Sequence, residues 1–236
     1  MANLDLEEQE QLDQLKAFWN QYGNYITWGL IVVLGAFAGW NVYQRWQTSQ
    51  SAQASALFDE LDRVAQSKDS GKIERVFSDL REKFPSTTYA PQGGLLVAKV
   101  QFEAGKIEEA KAALNWVAEK SNDDGYQAIA RLRLAGILIE SKSLDDALKQ
   151  LAGSFPVEFS GLVADRRGDV LSLQGKTSAA KSEYEKAYKA FDEKSEYRRL
   201  LEVKLNALGV DPKPVISNDK AVAAAAQAAV SGAEKK

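Results

Sequence analysis

The chain has 236 residues, 45% hydrophobic and 27% charged, with a formal net charge of -3, enough apolar content to bury an ordinary core beside a further segment. It contains no His and no Cys, which excludes disulfides, imidazole or thiolate metal ligation, Ser-His-Asp and Cys-His nucleophiles, and a lipid-modified cysteine. The lack of a basic excess argues against nucleic acid as a partner.

Residues 1–24 open with MANLDLEEQEQLDQLK, five acids and one Lys, the inverse of the cationic start of a secretory signal. Leu12, Leu15, Phe18, Trp19 and Tyr22 recur at helical spacing, so this acidic segment forms a short amphipathic helix. It either lies on a membrane surface or extends the apolar helix that begins at Tyr25.

Residues 25–46 read as a membrane-spanning helix. Tyr25 to Tyr43 carries no charge and, as a helix, reaches roughly 28 Å, the thickness of a bilayer's hydrocarbon. Its apolar residues surround the axis instead of forming a stripe. Ile26, Leu30, Ile31, Val32, Val33, Leu34, Phe37 and Val42 together favour insertion by about 3 kcal/mol. Trp19, Tyr22, Tyr25 and Trp28 at one end, and Trp40, Tyr43 and Trp46 at the other, suit the two headgroup zones. The competing reading is the buried core helix of a soluble domain. Gly35 and Gly39 form a Gly-x-x-x-Gly pair, either a contact for a second membrane helix or chance in a Gly-rich span. Lys16 before the span and Arg45 after it nearly balance, so charge leaves the orientation open.

Residues 47–210 are helical in pattern and self-similar. LVAKVQFEAGKIEEAKAAL, from Leu96 to Leu114, lines up with RLAGILIESKSLDDALKQL, from Arg133 to Leu151, at a shift of 37 residues. RRGDVLSLQGKTSAAKSEY, from Arg166 to Tyr184, comes next at a shift of 33. Each copy has a small residue within its first helix, a turn, then Ala and a large apolar residue one helical turn apart. Gly105, Lys142-Ser143 and Gly175 occupy the turns, and Ser143 with Asp146 resembles a capping box. A degenerate unit fits Ala54 to Pro85, with Leu61, Phe77 and Leu80 inside. The expected fold is all-α: one N-terminal transmembrane helix, then a tetratricopeptide-like α-solenoid of three to four helical hairpins. Residues 211–236, with two prolines and an Ala-rich stretch, break the pattern and read as a disordered tail.

If the first helix of each hairpin lines a protein-binding groove, the expected lining is Gln92, Leu95, Lys99, Phe102 and Glu103; then Ile129, Leu132, Ile139 and Glu140; then Leu162, Asp165, Asp169 and Ser172. This mixture suits an extended or helical peptide. No cofactor or metal is expected. A carboxylate pair such as Asp165 with Asp169 is all that an enzyme would have to use, and a solvated helix face explains it more simply.

The order of segments resembles the YfgM family of bacterial inner-membrane proteins. The resemblance covers about Glu7 to Val210 and is carried by EQEQLDQLKAFWNQYGNYI, GWNVYQRW at the span's exit, FPSTTYA, and LVADRRGDVLSLQGKTSAAKSEYEKA. It implies a single-pass protein of the inner membrane, with a cytoplasmic N-terminus and a periplasmic repeat domain. It also implies a chaperone-like scaffold beside the SecYEG translocon and the membrane-anchored chaperone PpiD, handling unfolded or translocating polypeptides, and not an enzyme. The alternative is a negative regulator of envelope-stress signalling whose N-terminal tail sequesters a cytoplasmic response regulator.

Overall fold

The computed structural model of the chain describes residues 6–67 and 69–211, with side chains from residue 10 onward. Beyond Asp211 the expected tail lies outside the described residues. The chain divides into two compact units, one up to Leu57 and one from Phe58 onward, and every regular element among the described residues is helical.

Helix α1 spans Leu6–Ser67 and makes up the first unit as far as Leu57. It runs unbroken through the acidic start and the apolar stretch, so the amphipathic segment extends the apolar helix and does not form a separate element. Ile26, Leu30, Val32, Leu34, Phe37 and Val42 are all exposed, and none of the most apolar window is buried. A core helix of a soluble domain would be covered by its own protein, so that reading is overturned. The exposed helix is long and apolar enough to cross a membrane. Within it the Thr27 hydroxyl donates to the Gly23 carbonyl at 2.7 Å, which satisfies a polar group that lipid cannot.

In the second unit, the end of α1 is followed by α2 (Ser70–Lys83), and Leu61 of α1 and Leu80 of α2 both close on Gly93 of the next helix. Three complete hairpins come after it: α3 (Tyr89–Glu103) with α4 (Ile107–Lys120), α5 (Asp124–Glu140) with α6 (Leu144–Leu151), and α7 (Ser160–Leu173) with α8 (Thr177–Ala190). A last helix, α9 (Glu196–Ala207), packs on α8. Each hairpin touches the next, and α3, α5 and α7 meet in succession.

The core explains the stacking. Leu61, Phe77 and Leu80, placed inside the degenerate unit by their spacing, are fully buried. Gly93 lets α3 approach them, since a Cβ there would lie 2.7 Å from a Leu80 methyl and 3.0 Å from a Leu61 methyl. Farther along, Ala135, Ala147, Leu151, Val163 and Val170 form one cluster and Ala164, Ala180, Tyr184, Ala187, Leu201 and Leu205 another. Small residues recur because the paired helices meet closely there.

The turns share a single design. Gly105, Lys142, Gly175 and Gly209 all have left-handed φ, at 75°, 60°, 73° and 77°. In each case an amide just past the left-handed residue bonds back five residues: Lys106 to Gln101, Ser143 to Leu138, Lys176 to Leu171 and Val210 to Leu205, at 2.8 to 3.0 Å. This satisfies carbonyls that the helix end leaves open. The expected capping box at Ser143 does not form, because its side chain makes no cap bond and Asp146 instead pairs with Lys149 at 2.8 Å. The side-chain caps are Asp69, bonding the amides of Gly71 and Lys72, and Asp123, bonding those of Gly125 and Tyr126.

Candidate protein-binding groove

Hairpin register decides which side chains the first helices leave uncovered. The first helix of a hairpin packs on its own second helix and on the neighbouring hairpins, so one face remains. On α3 that face carries Leu96, Lys99, Val100 and Glu103, and on α5 it carries Arg133, Gly136 and Glu140.

Between α3 and α5 lies an open cleft of about 360 Å³. Ala98, Phe102, Leu114 and Ile137 make its apolar floor, and Lys99, Arg133 and Glu140 stand at its rim. Gly136 contributes no side chain to the cleft that it lines. A Cβ built there meets nothing within 4 Å, while the shift of 37 residues puts Lys99 at the same place on α3. Arg133 spans the cleft and donates to the Leu95 carbonyl at 3.3 Å, and no carboxylate lies within ion-pair distance of it among the described residues. Lys99 is only loosely paired, 3.9 Å from Glu103. A second furrow of about 230 Å³ lies between the end of α1 and α3, where Asp62, Ala65 and Gln66 face Leu96, Lys99 and Val100. Lys99 therefore forms the ridge between two depressions.

The expected groove residues fall into three groups. Lys99, Phe102 and Glu140 line the cleft, and Glu103 lines the furrow. Leu95 is buried, and Leu132 and Ile139 pack on the cluster around Leu151 and Val170. Ile129 and Leu162 are half-buried, and Gln92 donates to the Tyr126 hydroxyl at 2.6 Å, tying α3 to α5. At Leu95, Leu132 and Ile139 the expected position is one residue out of phase, the open face being carried by Leu96, Arg133 and Glu140. Each residue advances the helix by roughly 100°, so a step of one moves a position from groove to core.

The third group lies on α7, where α9 closes over its two carboxylates. Asp165 is 2% exposed, and its carboxylate accepts from the Tyr197 hydroxyl and from Lys204 Nζ, both at 2.6 Å. Lys204 also reaches Asp169 at 2.6 Å, and Asp169 accepts from the Tyr184 hydroxyl at 2.8 Å. Burial, and then the bond to a carboxylate, pushes the Tyr184 and Tyr197 hydroxyls well above the ordinary tyrosine range. Asp165 is thus closed off from any ligand on the groove face, and Asp169 is only half-buried, while Ser172 remains exposed. The carboxylate pair is occupied in holding α9. Gly35 and Gly39 on α1 present open space, with nothing within 4 Å of a Cβ.

Sequence reasoning missed Arg133, Gly136 and the wall supplied by α1. The first two carried a usable signal, because the alignment of Ala98 with Ala135 already sets Gly136 opposite Lys99.

Comparison with known proteins agrees with the repeat fold. A family model described as a tetratricopeptide repeat-like domain matches residues 16–210. Curated relatives named ancillary SecYEG translocon subunit are 32% identical in Neisseria gonorrhoeae, 30% in Haemophilus influenzae and 26% in Escherichia coli. Each alignment covers 86% of this chain, and 97% or 98% of the relative. No solved structure matches the chain significantly.

Proposed function

Because this chain belongs to the tetratricopeptide repeat-like family, among the YfgM-type ancillary translocon subunits, we propose that it is a membrane-tethered polypeptide-binding scaffold at the SecYEG translocon. Its N-terminus faces the cytoplasm, α1 crosses the inner membrane, and the hairpins stand in the periplasm beside a PpiD-like chaperone. The open apolar cleft between α3 and α5 carries the reading. An apolar hollow ringed by Lys99, Arg133 and Glu140 takes up one hydrophobic side chain of a passing polypeptide while its backbone and charges stay wet. Tethering makes weak capture sufficient, since confinement at the membrane raises the effective concentration of a chain emerging from a neighbouring channel.

Gly136→Leu tests this directly. Open space surrounds that position, so Leu fills the cleft while leaving the core intact. With a photo-crosslinker at Lys99 in native membranes, the parent chain labels an arrested translocating polypeptide and translocon components. The Gly136→Leu variant loses the polypeptide adduct by about tenfold, in line with the loss of one buried apolar side chain. Equal labelling by both would reject the cleft as the binding site.

A further inference from the structure

Helix α3 turns its other side to a separate hollow. Gln101 lies two positions beyond Lys99, a rotation of about 200°, so it points away from the groove face that Lys99 lines. It lines a hollow of about 420 Å³ formed by α2, the end of α3 and α4. Phe77, Ala112 and Ala113 supply the apolar wall, and Ser70, Glu74, Arg81 and Glu109 the polar rim.

Gln101 is 2% exposed, and only half of its amide is satisfied. Its oxygen accepts from the Ser70 hydroxyl at 3.1 Å, while its nitrogen has no partner among the described residues. A hydroxyl both donates and accepts, so the amide can turn over on Ser70 and offer the hollow either its oxygen or its nitrogen. A buried polar atom without a partner is costly, and a ligand that meets it removes that cost.

The rim is also one positive charge short, with two carboxylates against one guanidinium. Arg81 lies 3.3 Å from Glu74 and packs over the Phe77 ring at 5.3 Å. Glu109 has no ion-pair or hydrogen-bond partner among the described residues. The positive end of α2 does not fill the deficit, because the Asp69 carboxylate already accepts from the amides of Gly71 and Lys72.

We propose that this hollow receives one arginine side chain of a protein partner. The guanidinium pairs with Glu109 and donates to the turned Gln101 oxygen, while its methylene stem lies on Ala112 and Ala113. Its planar group carries donors in several directions, enough for a carboxylate and an amide oxygen at once, which favours arginine over lysine. A free amino acid would bring its own carboxylate toward Glu74 and Glu109, and a polyamine would bring more charge than the rim lacks. A residue within a polypeptide does neither. The inference stands apart from the α3/α5 cleft, whose lining shares no residue with this hollow. A polypeptide in the cleft and a partner at the hollow are then held at the same time.

The test uses the full chain in detergent micelles, labelled with 5-fluorotryptophan. The Trp116 ring meets Phe77 edge-on at 5.6 Å, so its fluorine signal, assigned with Trp116→Phe, reports on the hollow. The probes are blocked Gly-Arg-Gly, the same peptide with Lys or with citrulline, the neutral isostere, and free arginine and spermidine. The arginine peptide moves the Trp116 signal saturably and binds about tenfold tighter than the citrulline peptide, with lysine between them. Glu109→Gln brings the arginine peptide down to the citrulline affinity; Glu109 is exposed, so the fold tolerates the change. Gly136→Leu leaves this binding as it was.

Equal affinity for arginine and citrulline, or full affinity in Glu109→Gln, overturns the proposal. No saturable shift with any peptide marks a hollow filled by solvent only and overturns it as well. Tighter binding of free arginine or spermidine than of the peptide assigns the hollow to a small cation and rejects the protein partner. Loss of the shift in Gly136→Leu would put the peptide in the cleft, rejecting the hollow and sparing the cleft.

Discussion

Replacing Lys204 with Met should release α9 without unfolding the hairpins. The ammonium lies 2.6 Å from both Asp165 and Asp169, and the Asp165 side chain is only 3% exposed. Removing one partner from a buried ion pair costs about 3–5 kcal/mol, because the remaining carboxylate is left uncompensated. Here Asp165 keeps the Tyr197 hydroxyl, and Asp169 keeps the Tyr184 hydroxyl and Arg166. The cost therefore falls near the lower end, about 3 kcal/mol. Apart from this network, α9 is held by Leu201 and Leu205 in the core, by Tyr197 against Phe191, and by Arg198 and Glu202 on Tyr188. These contacts lie at this end of the stack, so it opens as a local unit. Amide exchange of residues 202–208 should accelerate about 100-fold, while α3 to α6 keep their protection. Adding Asp165→Asn and Asp169→Asn to Lys204→Met removes the stranded charges and should restore most of the loss. Unchanged α9 protection in Lys204→Met would refute the argument, as would equal acceleration in α3.

Three other outcomes are expected from the packing, the turns and the buried tyrosines. Gly168→Ala puts a methyl 2.5 Å from the Tyr184 ring, which α8 packs on this glycine of α7; it should cost about 1–3 kcal/mol. Gly136→Ala meets open space and should gain about 0.5–1 kcal/mol, so thermal melts of the two variants should move in opposite directions. Lys142→Gly relieves a left-handed φ of 60° at a residue with a Cβ and should stabilise by about 1 kcal/mol; a lower melting temperature would contradict this. The unfolded chain ionises Tyr184 and Tyr197 near 10.0, and the folded chain resists. Their contribution is whole below that pH and is lost as pH rises toward the folded values, because the unfolded state then holds fewer protons. Exchange of α9 should quicken above pH 10, and the Tyr184→Phe, Tyr197→Phe variant should show a shallower slope.

Much of the fold could be read in the sequence because repetition multiplies weak signals. A single Gly or Ala says little, but Gly105, Lys142-Ser143 and Gly175 at shifts of 37 and 33 fix three turns, and all three have left-handed φ. The exposed apolar helix was equally plain, since its apolar residues surround the axis. The groove was harder to read. Its face differs from the core face by one helical step, so Leu132 and Ile139 are expected in the groove but are partly buried against the core, while Arg133 and Gly136 were overlooked. Periodicity also does not show what a later helix covers. Nothing near Asp165 signals that Tyr197 and Lys204, more than thirty residues on, close over it.

The shared turn has a consequence for how such a protein can change in length. Gly105, Lys142 and Gly175 each pass the chain to a second helix in the same way, with the same backbone bond, whatever side chains surround it. Segments cut at two such points have matching ends, so a hairpin can be duplicated or removed there with every junction re-forming. The reach of the face it presents is thus an adjustable dimension, open to tandem copying, while the lipid-crossing helix at the other end of the sequence stays as it is.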